Sequence, residues 1–394
     1  WVKSFFAIIL AGGIAVSIDS RISDDMFEDI LELTKPVLIL KKDETIKTNY
    51  KAINIKELNQ KYTKVDLPKI NPNSPCEIIF TSGGTEADNL VLRSAVRDLG
   101  VTEIISSRIE HHAILHTIEQ LNVEFGIRVN YVKILPDGHI DLEHLEQLLK
   151  SSNKKLVSLM HINNEIGNML DINRVALLCK SHEALFHSDT VQSVGHFKLD
   201  LQEIPVDYLA ASAHKFHGPK GVGFAFLRKG SGLKASIFGG SQERGLRAGT
   251  ECVHNIVGMD QALQISYENL EKEKKAILEL KNYFKESLKK ALPEVQFNGS
   301  CCNNDESTYT LLNVRLPFPP EKNALLQFQL DLKGIACSKG SACQSGSAKG
   351  SHVLTEILDE HSLAKPSVRF SFSSFNTKED IDYVVSVLKE FGDS

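Results

Sequence analysis

The 394-residue chain lacks several features that would mark particular functions. Its seven cysteines are odd in number and include no CxxC pair, so zinc knuckles and structural disulfides are not expected and a reducing, cytoplasmic compartment is predicted. The apolar stretch near the amino terminus is too short to span a membrane. A net charge of −5 without a basic stripe argues against nucleic acid as the main partner, so the expected ligands are small molecules.

After residue 75 the sequence alternates regularly between short apolar segments and helical patterns. Strands that alternate with helices predict an α/β fold with a mainly parallel sheet covered on both faces. The seven predicted strands span residues 77–80, 103–106, 130–134, 156–160, 184–187, 207–210 and 222–227. The helical patterns between several of them cover residues 86–99, 114–125, 142–149 and 173–181.

A long charged amphipathic stretch, residues 257–292, predicts a helix that joins this large domain to a smaller one. The smaller domain is predicted to be α+β, with strands at residues 309–316 and 367–372 and a final helix at 378–391. The predicted domains are an atypical amino-terminal segment (1–75), a large domain (76–260) and a small carboxyl-terminal domain (261–394).

Polar or glycine-rich motifs follow five of the predicted strands. Because the carboxyl ends of parallel strands face the same crevice of an open α/β sheet, these motifs are predicted to share one ligand site. The first motif has glycines and hydroxyls at a helix start, which suits a phosphate, although an ordinary capped helix looks the same. The five motifs are residues 81–88, 109–112, 161–167, 187–193 and 212–215.

Lys215 is the centre of the predicted site. It lies between His214 and His217, after the apolar run 208–213 and before the turn at 218–221. A partly desolvated lysine among cations has a lowered pKa and forms Schiff bases, whereas a lone lysine is usually solvated at the surface. Together with an aspartate, a planar histidine, amide side chains and a phosphate turn, such a lysine completes the set of groups that holds pyridoxal phosphate.

Residues 334–347 are rich in Gly, Ser and Ala and are predicted to form a mobile loop. A cysteine on such a loop, exposed and near cations, ionises and attacks, whereas a buried cysteine is inert. By composition alone, Cys343 and Cys337 are nearly equal candidates for a catalytic nucleophile.

Eight motifs of the chain resemble those of the cysteine desulfurases, which are fold-type I pyridoxal phosphate enzymes of aminotransferase class V. In chain order they are TSGGTEADN, EHHA, NNEIG, DTVQSVG, SAHKFHGPKG, ERGLRAGTE, GSACQSG and SVRFSF. The resemblance runs from about residue 76 to the carboxyl terminus. It implies conversion of L-cysteine to L-alanine, with the sulfur transferred as an enzyme persulfide for iron–sulfur cluster or thio-cofactor assembly.

The resemblance also implies a role for each matching residue in holding the cofactor. Lys215 would form the Schiff base, Asp189 would pair with the pyridine nitrogen, and His111 would stack on the ring and move protons. Asn164 and Gln192 would contact the ring hydroxyl. The residues implied to hold the phosphate are Gly84, Thr85, Ser212, His214 and, reaching in from a second subunit, Thr250. That last contact implies a homodimer.

For the substrate, the resemblance implies that Arg369, with Asn164, binds the α-carboxylate of L-cysteine. The GSAC motif assigns the persulfide-carrying nucleophile to Cys343 and leaves Cys337 as a neighbouring thiol. The implied partner is a sulfur-acceptor protein such as an iron–sulfur scaffold. No metal ligands are implied.

Residues 1–75 depart from the desulfurase pattern because the usual LDNAAT entry is absent. They resemble instead part of an adenylate-forming acyl-CoA synthetase, which predicts a chimera joined near residues 79–83. Besides an active desulfurase, the sequence is compatible with a selenocysteine lyase or aminotransferase of the same fold. It is also compatible with an impaired chimera that serves as a binding scaffold.

Overall fold

The computed structural model describes residues 39–41, 52–54, 76–338 and 350–393. The chain divides into two units, Trp1–Ser74 and Pro75–Ser394. Within the first unit, strand β1 (Ile39–Lys41) pairs in parallel with β2 (Ala52–Asn54). The rest of the predicted amino-terminal segment, including its resemblance to an acyl-CoA synthetase, lies outside the described residues.

The second unit is built on a seven-stranded sheet. Its strands are β3 (Cys76–Thr81), β4 (Glu103–Ser106), β5 (Arg128–Tyr131), β6 (Lys155–Ser158), β7 (Leu185–Asp189), β8 (Tyr208–Ser212) and β9 (Gly223–Arg228). They lie in the order β3-β9-β8-β7-β6-β4-β5, and β9 runs antiparallel to both of its neighbours. The reversal follows from the short connection between β8 and β9, because a parallel strand needs a crossover of a dozen or more residues. The prediction of a mainly parallel α/β sheet is confirmed.

Four helices cover this sheet and follow β3, β4, β5 and β6 along the chain. They are α1 (Gly84–Leu99), α2 (His112–Phe125), α3 (Leu142–Leu149) and α4 (Ile172–Ser181). The adjacent residues Ile104 and Ile105 belong to different hydrophobic clusters, the first with α1 and α2 and the second with α3 and α4. Since successive side chains of a strand point to opposite faces, the two helix pairs cover opposite faces of the sheet.

Helix α5 (Val253–Ala291) leads into a second, antiparallel sheet. That sheet has the order β10-β11-β12, with β10 at Gln296–Phe297, β11 at Leu311–Arg315 and β12 at Ser367–Ser371. Its helices are α6 (Asn323–Leu332), α7 (His352–Ile357), α8 (Glu360–Ala364) and α9 (Lys378–Asp393). The predicted domain boundary at 260/261 falls within α5 and stays a prediction. Among the described helices, none has both the length and the apolar character needed to cross a bilayer.

Candidate active site

Lys215 lies on a 3-10 turn, Ala213–Phe216, directly after β8. Phe216 is fully buried and packs so closely on Gly195 that a Cβ on that glycine would lie 2.4 Å from the Phe216 Cβ. The Gly218 N–H donates to the Ala213 carbonyl at 2.8 Å and closes the turn. The backbone is therefore anchored by Phe216, while the Lys215 side chain stays exposed at the carboxyl edge of the sheet.

Asp189 ends the neighbouring strand β7 and is only 7% exposed. Its Oδ1 accepts a hydrogen bond from the Val191 N–H at 2.9 Å. Burial and the nearby carboxyl of Asp88 raise the pKa of Asp189 to about 7, and the positive charge of Lys215 opposes that rise. Lys215 thus lies within electrostatic reach of a buried carboxyl that needs a cationic partner to stay ionised.

His111 forms the amino-terminal cap of α2, where its Nδ1 accepts from the Ala113 N–H at 3.1 Å. A neutral imidazole whose Nδ1 accepts carries its proton on Nε2. Burial, together with the positive charges of His112 and Lys215, lowers the pKa of His111 to about 4, so the ring is neutral at pH 7. The ends of β4, β7 and β8 therefore bring His111, Asp189 and Lys215 to one edge.

The start of α1 has the properties of an anion site. Gly83 precedes the helix with φ 154°, and no described side chain caps it, so the first N–H groups of the helix remain for a ligand. A side chain at Gly84 would displace Val191, because a Cβ there would lie 2.6 Å from the Val191 Cγ2. The Ser212 Oγ and the His214 Nδ1 are 2.9 Å apart, and a Cβ on Gly83 would lie 3.5 Å from that Oγ.

The other predicted cofactor contacts, Thr85, Gln192 and Thr250, are exposed or half-buried. Thr85 is exposed in the first turn of α1, and Gln192 is half-buried just beyond Asp189. Arg247 makes a bidentate ion pair with Glu86, donating from Nε at 2.8 Å and from Nη2 at 3.2 Å, and so attaches the turn that carries Thr250 to α1. Thr250 is exposed in the single chain, and its contact with a second subunit stays a prediction.

Arg369 extends from β12 toward the same edge and is half-buried. Its Nη1 donates to the Asn164 carbonyl at 2.5 Å. Its Nε is buried and has no hydrogen-bond partner within the described residues. Burial lowers the pKa of this guanidinium, and the carboxylate of Glu165 opposes the change. The structure thus joins Arg369 to Asn164, and the role of Arg369 in binding the substrate carboxylate stays a prediction.

Of the two candidate nucleophiles, Cys343 lies outside the described residues and Cys337 within them. Burial raises the pKa of the Cys337 thiol to about 11, so it is almost entirely protonated at pH 7. Because the thiolate is the nucleophile, Cys337 is poorly suited to attack. The assignment of Cys343 rests on its sequence motif and stays a prediction.

Comparison with known proteins identifies the family. A family model described as "Aminotransferase class-V" matches residues 56–384. The chain belongs to that family. It is 39% identical over 318 residues to "Cysteine desulfurase IscS" of Dictyoglomus turgidum, covering 79% of this chain and 78% of the relative.

Solved structures of the family show the same fold. A "NIFS-LIKE PROTEIN" is 34% identical with a TM-score of 0.71, covering 80% of this chain and 82% of that chain. A structure described as "SspA in complex with cysteine" is 29% identical with a TM-score of 0.63, covering 76% of this chain and 82% of that chain. The predicted resemblance and the fold-type I architecture are confirmed, and the family match begins 20 residues earlier than residue 76.

Pyridoxal phosphate is the cofactor of this family, and the residues at the sheet edge fit it. The uncapped start of α1 suits the phosphate, and the buried carboxyl of Asp189 suits a protonated ring nitrogen. Lys215 stands at the same edge as the amine required for attachment of the cofactor aldehyde. The assignment of each contact to a particular atom of the cofactor stays a prediction.

Sequence reasoning missed Glu165, which is fully buried beside Arg369. Its Oε2 accepts from the Ser351 Oγ at 2.5 Å, and its Oε1 lies 4.0 Å from the His352 Nδ1. Its carbonyl also accepts from the Asn313 Nδ2 at 2.9 Å. The available signal was a charged residue within the NNEIG motif, since a carboxylate is rarely buried without a partner.

Sequence reasoning also missed a buried pair, Asp88 and His187, which lies near Asp189. The Asp88 Oδ1 is 3.5 Å from the His187 Nε2, and the His187 Nδ1 is 2.9 Å from the Ser158 Oγ. Burial raises the pKa of Asp88 well above its usual value and lowers that of His187 to about 4. The two side chains are close neighbours between α1 and β7, the strand that ends at Asp189, and burial disfavours the charged form of each.

Proposed function

We propose that this chain is a cysteine desulfurase, which removes sulfur from L-cysteine and releases L-alanine. The observation that carries the proposal is the convergence of Lys215, Asp189 and His111 on the edge that Arg369 and Asn164 also approach. The curated relative named "Cysteine desulfurase IscS" and the solved relative in complex with cysteine support the choice of substrate.

We assign each residue a task in this reaction. Pyridoxal phosphate supplies an electron sink for the bond changes at the substrate α-carbon. The Lys215 amine removes the α-proton of the substrate, and ionised Asp189 keeps a proton on the ring nitrogen. Neutral His111 donates or accepts a proton at Nε2. Arg369 orients the substrate by binding its α-carboxylate.

The sulfur transfer is assigned to Cys343. Its thiolate attacks the substrate sulfur, so that an S–S bond forms and the C–S bond breaks. The electron pair of the C–S bond passes to the substrate carbon, which takes up protons and leaves as alanine. The resulting Cys343 persulfide passes its sulfur to an acceptor protein such as an iron–sulfur scaffold, and a homodimer in a reducing compartment is part of the proposal.

A visible absorbance spectrum before and after addition of L-cysteine tests the proposal. The purified protein is expected to be yellow, to change its spectrum with L-cysteine, and to form alanine in equal amount to the sulfide released in the presence of a reductant. Transfer of an amino group to an α-keto acid without alanine from cysteine would identify an aminotransferase. Faster turnover of selenocysteine would identify a lyase, and a colourless protein would indicate a scaffold.

Glu165→Gln is expected to raise the KM for L-cysteine by about tenfold and to change kcat much less. The reason is that loss of one charged hydrogen-bonding partner, worth roughly 1.5–3 kcal/mol, loosens the position of Arg369 and Ser351. Steady-state kinetics measure the two parameters separately.

The matched control is Glu103→Gln. Glu103 is also buried and hydrogen-bonded, but it lies at the amino end of β4, at the opposite edge of the sheet. We expect this control to affect the unfolding temperature and not KM. Equal changes of KM in both variants would contradict the positioning role of Glu165.

A further inference from the structure

Two adjacent thiols lie outside the active site, on the connection between β10 and β11. The Asn303 N–H donates to the Ser300 carbonyl at 2.8 Å and folds Cys301 and Cys302 into a tight turn. Cys301 is fully buried and its Sγ donates to the Asn313 carbonyl at 3.6 Å, whereas Cys302 is half-buried. The two thiols belong to neighbouring residues of this turn, and that of Cys302 is reachable from solvent.

Three lysines of α5 face this turn. Lys281, Lys285 and Lys289 are spaced four residues apart and so lie on one side of the helix. Lys281 is fully buried, and its ammonium donates to the Thr308 carbonyl at 2.7 Å and to the Ser307 Oγ at 3.4 Å. Because none of these partners of Lys281 is a carboxylate, its positive charge remains to act on the turn.

The pair divides its proton unequally. The neighbouring thiol of Cys301, followed by the positive charges of Lys285, Lys281 and Lys289, lowers the pKa of Cys302 to about 7 despite partial burial. The neighbouring sulfur of Cys302 and burial raise the pKa of Cys301 well above its usual value. By contrast, burial raises the pKa of Cys179 to about 12. At pH 7 about half of Cys302 is therefore thiolate, whereas Cys301 keeps its proton.

We propose that Cys301 and Cys302 form a redox-reactive dithiol that a hydroperoxide oxidises to a disulfide. The Cys302 thiolate attacks one peroxide oxygen, the O–O bond breaks, and hydroxide or an alkoxide leaves. The Cys301 sulfur then attacks the oxidised Cys302 sulfur, an S–S bond forms, and water leaves with the Cys301 proton. The two thiols lose two electrons in total, and the peroxide gains them.

Adjacency makes such a disulfide easy to reduce. The Cα atoms of neighbouring residues are about 3.8 Å apart, less than the usual span of about 4.4–6.8 Å for disulfides, and such departures make the bond more reducible. The turn also contacts the large domain, since the Ser300 N–H donates to the Asn168 Oδ1 at 2.9 Å. Asn168 lies four residues after Asn164, a proposed substrate contact. The oxidation would therefore occur on a loop that is bonded to the segment carrying Asn164.

Peptide mapping of the full-length protein by mass spectrometry tests the proposal. With limiting iodoacetamide at pH 7, Cys302 is expected to react faster than Cys252, although Cys252 is the more exposed. After hydrogen peroxide, the peptide with Cys301 and Cys302 is expected to be lighter by two hydrogen atoms and to recover with dithiothreitol. In Cys301→Ser, peroxide is expected to leave Cys302 as a sulfenic or sulfinic acid.

A charge variant separates thiolate activation from simple exposure. Lys285→Gln is expected to slow alkylation of Cys302 by about two- to fivefold, the effect of losing one solvent-facing charge, and to leave Cys252 unchanged. Circular dichroism verifies that each variant is folded. Alkylation of Cys302 no faster than Cys252, or peroxide products without a link between Cys301 and Cys302, would overturn the proposal.

Discussion

Replacing Lys215 by alanine is expected to abolish formation of alanine from L-cysteine and to remove the visible absorbance of the bound cofactor. Loss of proton transfer by this amine alone lowers the rate by on the order of 10²- to 10⁴-fold, and loss of the covalent attachment adds to it. The fold should be unaffected, because Phe216 and the Gly218 hydrogen bond hold the turn. Absorbance spectra and amino-acid analysis of the purified variant measure both effects.

Lys220→Ala is the matched control for this experiment. Lys220 is also exposed and lies five residues further on, within the turn at 218–221. We expect the Lys220 variant to keep its colour and its activity. A Lys215→Ala protein that is still yellow and still releases alanine would show that another amine holds the cofactor.

Local sequence patterns predicted most strands and helices of the seven-stranded sheet, because the signals for each of them lie within a short stretch of the chain. The helix at Leu142–Leu149 has the predicted bounds, since an apolar stripe and the cap at Asp141 both lie within one short stretch. The direction of β9 was not predicted from its apolar pattern. Strand direction depends on the length of the connection from β8 and on pairing with β3, which is about 150 residues away in the chain.

In the candidate site too, residues with local sequence signals were predicted, and residues whose partners are distant in the chain were not. Lys215 and Asp189 were predicted because each directly follows an apolar strand and its neighbours turn sharply. Glu165 was missed because its partner Ser351 is 186 residues away, and no local pattern records such a contact. His187 was likewise named only as part of a motif, since its pairing with Asp88 joins a strand to a distant helix.

Asp189→Asn is expected to lower the rate of alanine formation by about 10²- to 10³-fold while the protein keeps its cofactor. An amide carries no negative charge, so it cannot hold a proton on the ring nitrogen, and removal of one such electrostatic contact has about this effect. Because Lys215 is unchanged, visible absorbance should persist, with a shifted maximum. Absorbance spectra and single-turnover kinetics distinguish this outcome from loss of the cofactor.

Asp189→Asn is expected to lower activity but to stabilise the cofactor-free protein at neutral pH. The pKa of Asp189 is raised to about 7 in the folded chain, above its ordinary value of 3.8, so the unfolded chain loses this proton first. Stability therefore falls as pH rises from about 4 to 7, by up to about 4 kcal/mol, and Asp189→Asn removes this loss. Denaturant unfolding at pH 4 and pH 8 should show a stabilised variant at pH 8 only.

Asp207→Asn distinguishes a role at the cofactor from the general effect of a buried carboxyl. Burial raises the pKa of Asp207 too, and its Oδ2 accepts from the Phe186 N–H at 2.8 Å, but it lies before β8, at the edge of the sheet away from Lys215. We expect this variant to keep the absorbance maximum and its activity within about twofold, since it touches no reacting group. If both variants lost activity equally, charge at the ring nitrogen would not be the function of Asp189. If only Asp189→Asn shifted the spectrum, its carboxylate would be the group that faces the cofactor ring.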